Sequence, residues 1–372
     1  MILENRFNRF LILFRLSDPM KKIITCIGIR PDIIRLSQII KKLDTYFENI
    51  IVDSGQHYDY NLNKIFYEQL KVRIPEYNLN IKSGTHATQV AKLMIEFERV
   101  LIQESPQFVI VLGDNNSSLG FALATSKLNI PLIHIEAGMR SKNWLMPEEK
   151  NRIIIDHLAD INICYLPEHR ENLLREGLDP RRLWVVGNPI VEVLNSVKPQ
   201  YEKDTDFFLV TCHRAENTEN KHNLATTLKF LDRLYQRNSI TIKFILMPKT
   251  RDMMEKYGLT FPEGVTPIPP QGFLEFLGME KEATLVLTDS GTVVEECAIM
   301  GTPCLTIRES TERVDLIELG VNTLTGMAIE QMLDSAEFAL SHKIEPVSHY
   351  GKDIANKIVN ILIGNSLTFH KK

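Results

Sequence analysis

The sequence predicts an α/β protein of two Rossmann-like domains facing a central cleft, and three observations lead there. Short apolar runs bounded by turn residues alternate with helix-length amphipathic segments from Lys21 onward, the pattern of parallel βαβ units. A chain of 372 residues exceeds one ordinary core, and at roughly 150 residues per domain it divides into two. Residues 197–206, VKPQYEKDTD, break the apolar pattern with charge and a proline, and a second alternating set follows.

In chain order, residues 1–19 read as an N-terminal extension. Their uninterrupted apolar run, Phe10 to Phe14, is too short for a signal-peptide core or a membrane span, and Met20 precedes the first strand-like run. The first domain, 20–198, carries the strand candidates KIITCI, NIIVDS, FVIVLGD, LIHIEA, INICY and LWVVG. Ligands sit at the carboxyl ends of strands in open parallel sheets, so Arg30, Gln56, Asp114 and Glu136 are expected on one rim. The second domain, 199–350, carries FFLVTC, IKFILM, TLVLTD and PCLTI, with His213, Ser290 and Arg308 just after strands. The segment 351–372 holds a last helix, from about Gly351 to Gly364, which is expected to pack back on the first domain.

Composition excludes several classes. A net charge of -4 argues against a broad nucleic-acid footprint, which needs a basic surface. The 44% hydrophobic and 24% charged residues are ordinary for a globular chain. Five scattered cysteines without a CxxC pair point to neither a disulfide framework nor a zinc ribbon and fit the reducing cytoplasm.

The first strand ends in GIRPD, Gly28 to Asp32, where proline suits a first helical turn and sets Arg30 beside a helix N-terminus, a natural anion site. Pairing of Arg30 with a nearby carboxylate is an equal alternative. The absence of G-x-G-x-x-G disfavours a nicotinamide dinucleotide. In DSGTVVEE, Asp289 to Glu296, the small turn Ser290, Gly291 and Thr292 opens a helix, so backbone N–H groups can approach phosphate; the same residues also make an ordinary N-cap. Glu296 would repel phosphate there but could accept both hydroxyls of a ribose.

Asp114 in LGDNNSS, Glu136 in HIEAGMRS and Glu148 in PEEKNR form the candidate acid–base set. Asp114 could instead cap a helix, and Glu148 and Glu149 could be first-turn acids. Three acids packed on one rim would raise one another's pKa values and supply both an acid and a base. His213, after a buried strand, can move a proton or stabilise a departing phosphate, while Cys212 points to the opposite face. His134-x-Glu136 and His57-x-Asp59 lack a third partner, so no catalytic metal is expected.

Taken in order, GIRPD, GQHYD (Gly55–Asp59), LGDNNSS, HIEAGMRS, MPEEKNRIIIDH, VVGNP, CHRAEN, PQGFLEF, DSGTVVEE and RESTER resemble the non-hydrolysing UDP-N-acetylglucosamine 2-epimerase family over the chain from Met20. The resemblance implies the glycosyltransferase-B type fold, an active site between the domains, a UDP-sugar substrate, no cofactor or metal, a homodimer and no membrane insertion. By position, Arg30 and His213 resemble contacts to the diphosphate and its leaving oxygen, and Ser290, Gly291 and Thr292 a phosphate cradle. Arg313 resembles the cleft arginine, Glu296 the ribose ligand, Gln271 and Phe276 the uracil-side contacts, and Asp114, Glu136 and Glu148 the catalytic acids and bases. Arg35, also assigned to the substrate, stands where many members have lysine, and Thr292 replaces a glycine.

The implied reaction is C2 inversion, UDP-GlcNAc to UDP-ManNAc, by loss and return of UDP through a 2-acetamidoglucal, supplying surface polysaccharide synthesis. The GQHYD and EAGMRS forms resemble branches acting on UDP-linked 6-deoxy-acetamido sugars of the UDP-FucNAc or UDP-RhaNAc type. A hydrolytic epimerase releasing ManNAc and UDP, a glycosyltransferase of the same fold, which three carboxylates suit less well than proton shuttling, and a non-catalytic UDP-sugar sensor are the remaining alternatives.

Overall fold

The computed structural model describes residues 20–55, 60–82 and 84–366. The extension 1–19 and the residues Gln56, His57 and Asp59 therefore lie outside the described residues. Two parallel sheets are present among the described residues, and every strand pair in them is parallel. The first has seven strands in the order β3-β2-β1-β4-β5-β6-β7: β1 is Lys22–Ile27, β2 Glu48–Asp53, β3 Tyr77–Asn78, β4 Val109–Leu112, β5 Leu132–Ile135, β6 Ile161–Cys164 and β7 Leu183–Val185. The second has six in the order β10-β9-β8-β11-β12-β13: β8 is Phe207–Thr211, β9 Thr241–Ile245, β10 Val265–Ile268, β11 Leu285–Thr288, β12 Cys304–Thr306 and β13 Asn322–Leu324.

The central strands β4, β5, β6, β8 and β11 are buried along their whole length. Helices on both faces require that, and it is why these strands read as continuous apolar runs. Three strands were missed by the sequence reading: β3, β10 and β13. All three lie at sheet edges, are two to four residues long and carry residues that are not apolar, Asn78, Pro267 and Asn322 among them. Proline is tolerated in β10 because an edge strand leaves one side unpaired.

Each sheet reverses its strand order beside its first strand, between β1 and β4 and between β8 and β11, which is the switch point where ligands bind in open α/β sheets. The two switch points face each other. Helix Arg30–Leu43 after β1 meets helix Gly291–Met300 after β11 through an ion pair of Arg35 with Glu295. The last helix, Ile354–Ser366, lies against helix Arg30–Leu43 of the first sheet. Glu192, in helix Ile190–Ser196, accepts from the N–H groups of Ile354 and Ala355 and so caps that returning helix. All five cysteines are buried free thiols. No helix among the described residues is long and apolar enough to cross a membrane.

Candidate active site

Glu136 follows β5 with φ of +77°, a left-handed conformation that a non-glycine residue holds only when its surroundings enforce it. Backbone bonds from Glu136 and Ala137 to Ile163 O, both 3.1 Å, fix the turn. Gly138 completes it at φ +83°, where a Cβ would lie 2.2 Å from His169 O. The buried Glu136 carboxylate pairs with Arg35 Nη1, accepts from Tyr165 Oη at 3.2 Å and faces Arg313 Nη2 at 3.4 Å.

Asn115, not Asp114, caps the next helix, accepting from Ser118 N at 3.0 Å. Asp114 is thereby left to face Arg152, whose Nε lies 3.1 Å from its Oδ2. Of the paired acids at the start of helix Pro147–Leu158, Glu149 is buried and accepts from Ser141 N, Ser141 Oγ and Lys142 N, each at 2.9 Å, and from Arg152 Nη1 at 2.5 Å. It holds the loop that follows Glu136. Glu148 remains half-exposed, 4.0 Å from Arg214 Nη1 of the second domain.

In the second domain, the buried Asp289 accepts from the N–H groups of His213 at 2.9 Å and Arg214 at 2.9 Å, and lies 3.3 Å from His213 Nδ1. Desolvation lowers the His213 pKa, with Asp289 opposing and Arg214 and Arg308 adding, and 40% of its side chain meets solvent. Helix Gly291–Met300 begins with no side-chain cap on its first turn. Gly291 lets the Glu312 and Arg313 side-chain ends come close to the helix start: a Cβ there would lie 2.9 Å from Glu312 Oε1 and 3.2 Å from Arg313 Cζ, and those ends would have to shift. Thr292 Oγ1 accepts from Arg35 Nη2 at 3.1 Å.

Arg313 links these parts. Its Nε donates to Glu295 at 2.9 Å and its Nη1 to Glu312 at 3.0 Å, in addition to the approach to Glu136. Burial alone would raise the Glu312 pKa, but Arg313, Arg308, Arg214 and Arg152 hold it well below the usual carboxylate range. Arg308, fully buried, pairs with Glu216 at 2.8 Å and Glu312 at 3.2 Å. Asn143 Nδ2 donates to Ser310 Oγ across the cleft at 3.0 Å.

Several expectations change. Asp114, Glu136 and Glu148 each have an arginine beside them, Arg152, Arg35 and Arg214, which the expectation of three acids packed on one rim did not include. At GIRPD the turn is occupied by the protein's own carboxylate: Asp32 Oδ2 accepts from Gly28 N at 2.8 Å and Ile29 N at 3.0 Å. Burial nevertheless pushes Asp32 up to about 7, against those donors and Arg35. Any anion binding there falls to the half-buried Arg30 side chain. Like charges do meet elsewhere, at Glu296 and Glu280 inside the second domain. Gln271 donates to Pro269 O at 2.6 Å, and Phe276 is half-buried on helix Phe273–Glu282. The sequence reading passed over Glu295, Glu312, Asp289 and Tyr165. For Glu295 a signal existed: it lies three residues after Thr292 on one helix face, and both contact Arg35.

Residues 41–363 match the family model described as UDP-N-acetylglucosamine 2-epimerase. The UDP-N-acetylglucosamine 2-epimerase of Methanocaldococcus jannaschii is 39% identical over 360 residues, covering 92% of this chain and 98% of the relative. The UDP-2,3-diacetamido-2,3-dideoxy-D-glucuronate 2-epimerase of Pseudomonas aeruginosa is 38% identical over 334 residues, covering 87% and 94%. The crystal structure of the Methanocaldococcus jannaschii enzyme in complex with UDP-GlcNAc and UDP superimposes with a TM-score of 0.87 at 38% identity, covering 92% of this chain and 99% of that one. With two facing parallel sheets of the glycosyltransferase-B type and these relatives along nearly its whole length, the chain belongs to the UDP-N-acetylglucosamine 2-epimerase family.

Proposed function

We propose that this enzyme reversibly inverts C2 of a UDP-linked N-acetylhexosamine, UDP-GlcNAc to UDP-ManNAc, by losing and regaining UDP. The observation that carries the reading is the approach of Glu136 to Arg313, 3.4 Å apart and from opposite domains, which brings a base and an anion partner to one point of the cleft. The C2 proton is not appreciably acidic, so its removal must accompany departure of the leaving group. The C1–O bond breaks with its electron pair leaving on UDP, the C2 proton passes to a carboxylate, and a 2-acetamidoglucal remains. Return of UDP to C1 with protonation of the opposite face of C2 gives the epimer.

In this reading Asp114, Glu136 and Glu148 exchange the C2 proton. Arg30, Arg35, His213 and Arg313 offset charge on the departing diphosphate, together with the N-terminal turn at Ser290, Gly291 and Thr292. Glu296 takes the ribose hydroxyls, and Gln271 with Phe276 the uracil side. Contacts such as Asn143 to Ser310 would close the cleft and keep water from the glucal. The working units are 20–198 and 199–350 with a returning 351–372, in a cytoplasmic homodimer that needs neither NAD nor a metal.

A second reading has a specific support. The Pseudomonas aeruginosa relative bears the name of a different UDP-acetamido sugar at almost the same identity as the Methanocaldococcus jannaschii enzyme, 38% against 39%. The test is incubation with UDP-GlcNAc, a UDP-linked 6-deoxy-acetamido sugar and UDP-2,3-diacetamido-2,3-dideoxyglucuronate in deuterated water, with NMR at C2. Deuterium at C2 with the epimer still bound to UDP supports the proposal and names the substrate. Free ManNAc identifies the hydrolytic outcome, and no exchange with any of them overturns the reading.

A further inference from the structure

Glu280 closes the helix Phe273–Glu282 and is fully buried; Glu296 lies in the helix Gly291–Met300 and is 3% exposed. Their carboxyl groups are within hydrogen-bonding reach of each other. Both oxygens of Glu280 and the Oε1 of Glu296 are buried and have no hydrogen-bond partner while both groups are ionised, because two carboxylates only accept. Two carboxylates cannot share such a place unless a proton lies between them. Glu280 is pushed well above the carboxylate range by burial and then by Glu296, and Glu296 is raised to about 8 by burial, opposed by Glu280 and Arg35. The other ionisable neighbours are Glu295, Cys297 and Cys304, none of them a cation. The carboxyl of Glu280 thus donates to Oε1 of Glu296, and Oε2 of Glu296, alone of the four oxygens not sealed from solvent, is left for a donor that the protein does not supply.

The place of that oxygen along the helix indicates the donor. The N-terminal turn at Ser290, Gly291 and Thr292 faces the cleft arginines, and Glu296 lies five residues beyond Gly291, about 7.5 Å along the helix axis at 1.5 Å per residue. A ribose follows a diphosphate in a nucleotide, and its hydroxyls are donors. We propose that Glu280 is a positioning residue that holds Glu296 through a shared proton so that the free oxygen meets the ribose 2′-hydroxyl; this rests on the reading of Glu296 as the ribose contact.

Titration calorimetry with UDP and with 2′-deoxy-UDP tests it. Wild type should prefer UDP by about tenfold, the worth of one hydrogen bond to an ionisable group. Glu280→Gln keeps a donor toward Glu296 and should retain that preference. Glu280→Leu, similar in size but without a donor, should reduce it to within about twofold, whereas general packing damage would weaken both ligands alike. A folded Glu280→Leu with the wild-type preference overturns the positioning role alone. A wild type that binds both ligands equally overturns the ribose contact and the positioning role with it. Infrared difference spectra of the wild type cover the case in which the leucine variant does not fold. UDP should shift a protonated-carboxyl band that 2′-deoxy-UDP shifts less, and equal spectra overturn the proposal.

Discussion

Arg313 of the second domain reaches Glu136 of the first across the cleft, with 3.4 Å between Nη2 and Oε1. The same guanidinium serves Glu295 and Glu312, and Arg35 joins Glu136 to Glu295 from the other side. The cleft cations therefore already hold protein carboxylates. A diphosphate entering there must exchange phosphate oxygens for some of those partners, which links substrate binding to the freedom of Glu136.

Arg313→Met should destabilise the fold by about 3–5 kcal/mol, because it leaves Arg35 to serve both of the buried carboxylates Glu136 and Glu295 and takes one of the arginines from Glu312. Urea unfolding measures this. Arg313→Met with Glu295→Gln should recover part of the loss, since a neutral amide no longer needs the cation. A single variant within about 1 kcal/mol of wild type would mean that Arg313 spends its time outside this network.

His213→Ala and Arg30→Ala should each lower turnover by roughly two to three powers of ten, about 2–4 kcal/mol, if both offset charge on departing UDP. Asp289→Asn should lower it in the same direction, because Asp289 fixes the backbone at His213 and Arg214. Steady-state rates decide, and near-wild-type turnover in both alanine variants removes these side chains from the leaving-group side.

The central strands and the motif order were legible because buried parallel strands leave long apolar runs and the motif residues sit at their ends. Edge strands such as Tyr77–Asn78 were not, since a few half-exposed residues carry no periodicity. The cation–carboxylate pairings were hidden for a different reason: Arg35 and Glu295 are 260 residues apart, and only the packed fold brings them together. The pair Glu295 and Glu296 shows the limit most clearly. Neighbours on a helix point about 100° apart, so Glu295 meets Arg35 and Arg313 while Glu296 lies beside Glu280. Sequence alone drew attention to Glu296 and left Glu295 unassigned.

His169 gives a pH dependence with a definite sign. Burial lowers its pKa from 6.5 to about 4, so between these values the unfolded chain takes up a proton that the folded one refuses. Its contribution is present above pH 6.5 and is lost as pH falls toward 4, by about 3 kcal/mol in all. Asp32 and Glu296 run the other way, with raised values that favour the folded state at lower pH. The comparison of wild type with His169→Gln isolates the histidine: the difference in unfolding free energy should shift by that amount across the window. A constant difference would mean that His169 takes up its proton in the fold as readily as in the unfolded chain.

The final prediction concerns the proton itself. Glu136→Gln and Asp114→Asn should each stop solvent deuterium from entering C2, with turnover falling by about two to four powers of ten, while UDP binding changes far less. An amide keeps the shape and still accepts from Arg35 or Arg152, but it cannot take a proton near pH 7. The two should differ in stability. Glu136 is buried between two arginines at a left-handed φ, so its amide loses charge pairing inside the cleft, whereas Asp114 is 26% exposed and water can compensate. Exchange at the wild-type rate in both variants would move the base to Glu148, which is half-exposed at a helix N-terminus and faces Arg214 across the cleft. Loss of UDP binding along with exchange would instead assign these carboxylates to holding the two domains together, because the arginines they neutralise are the ones that would receive the diphosphate.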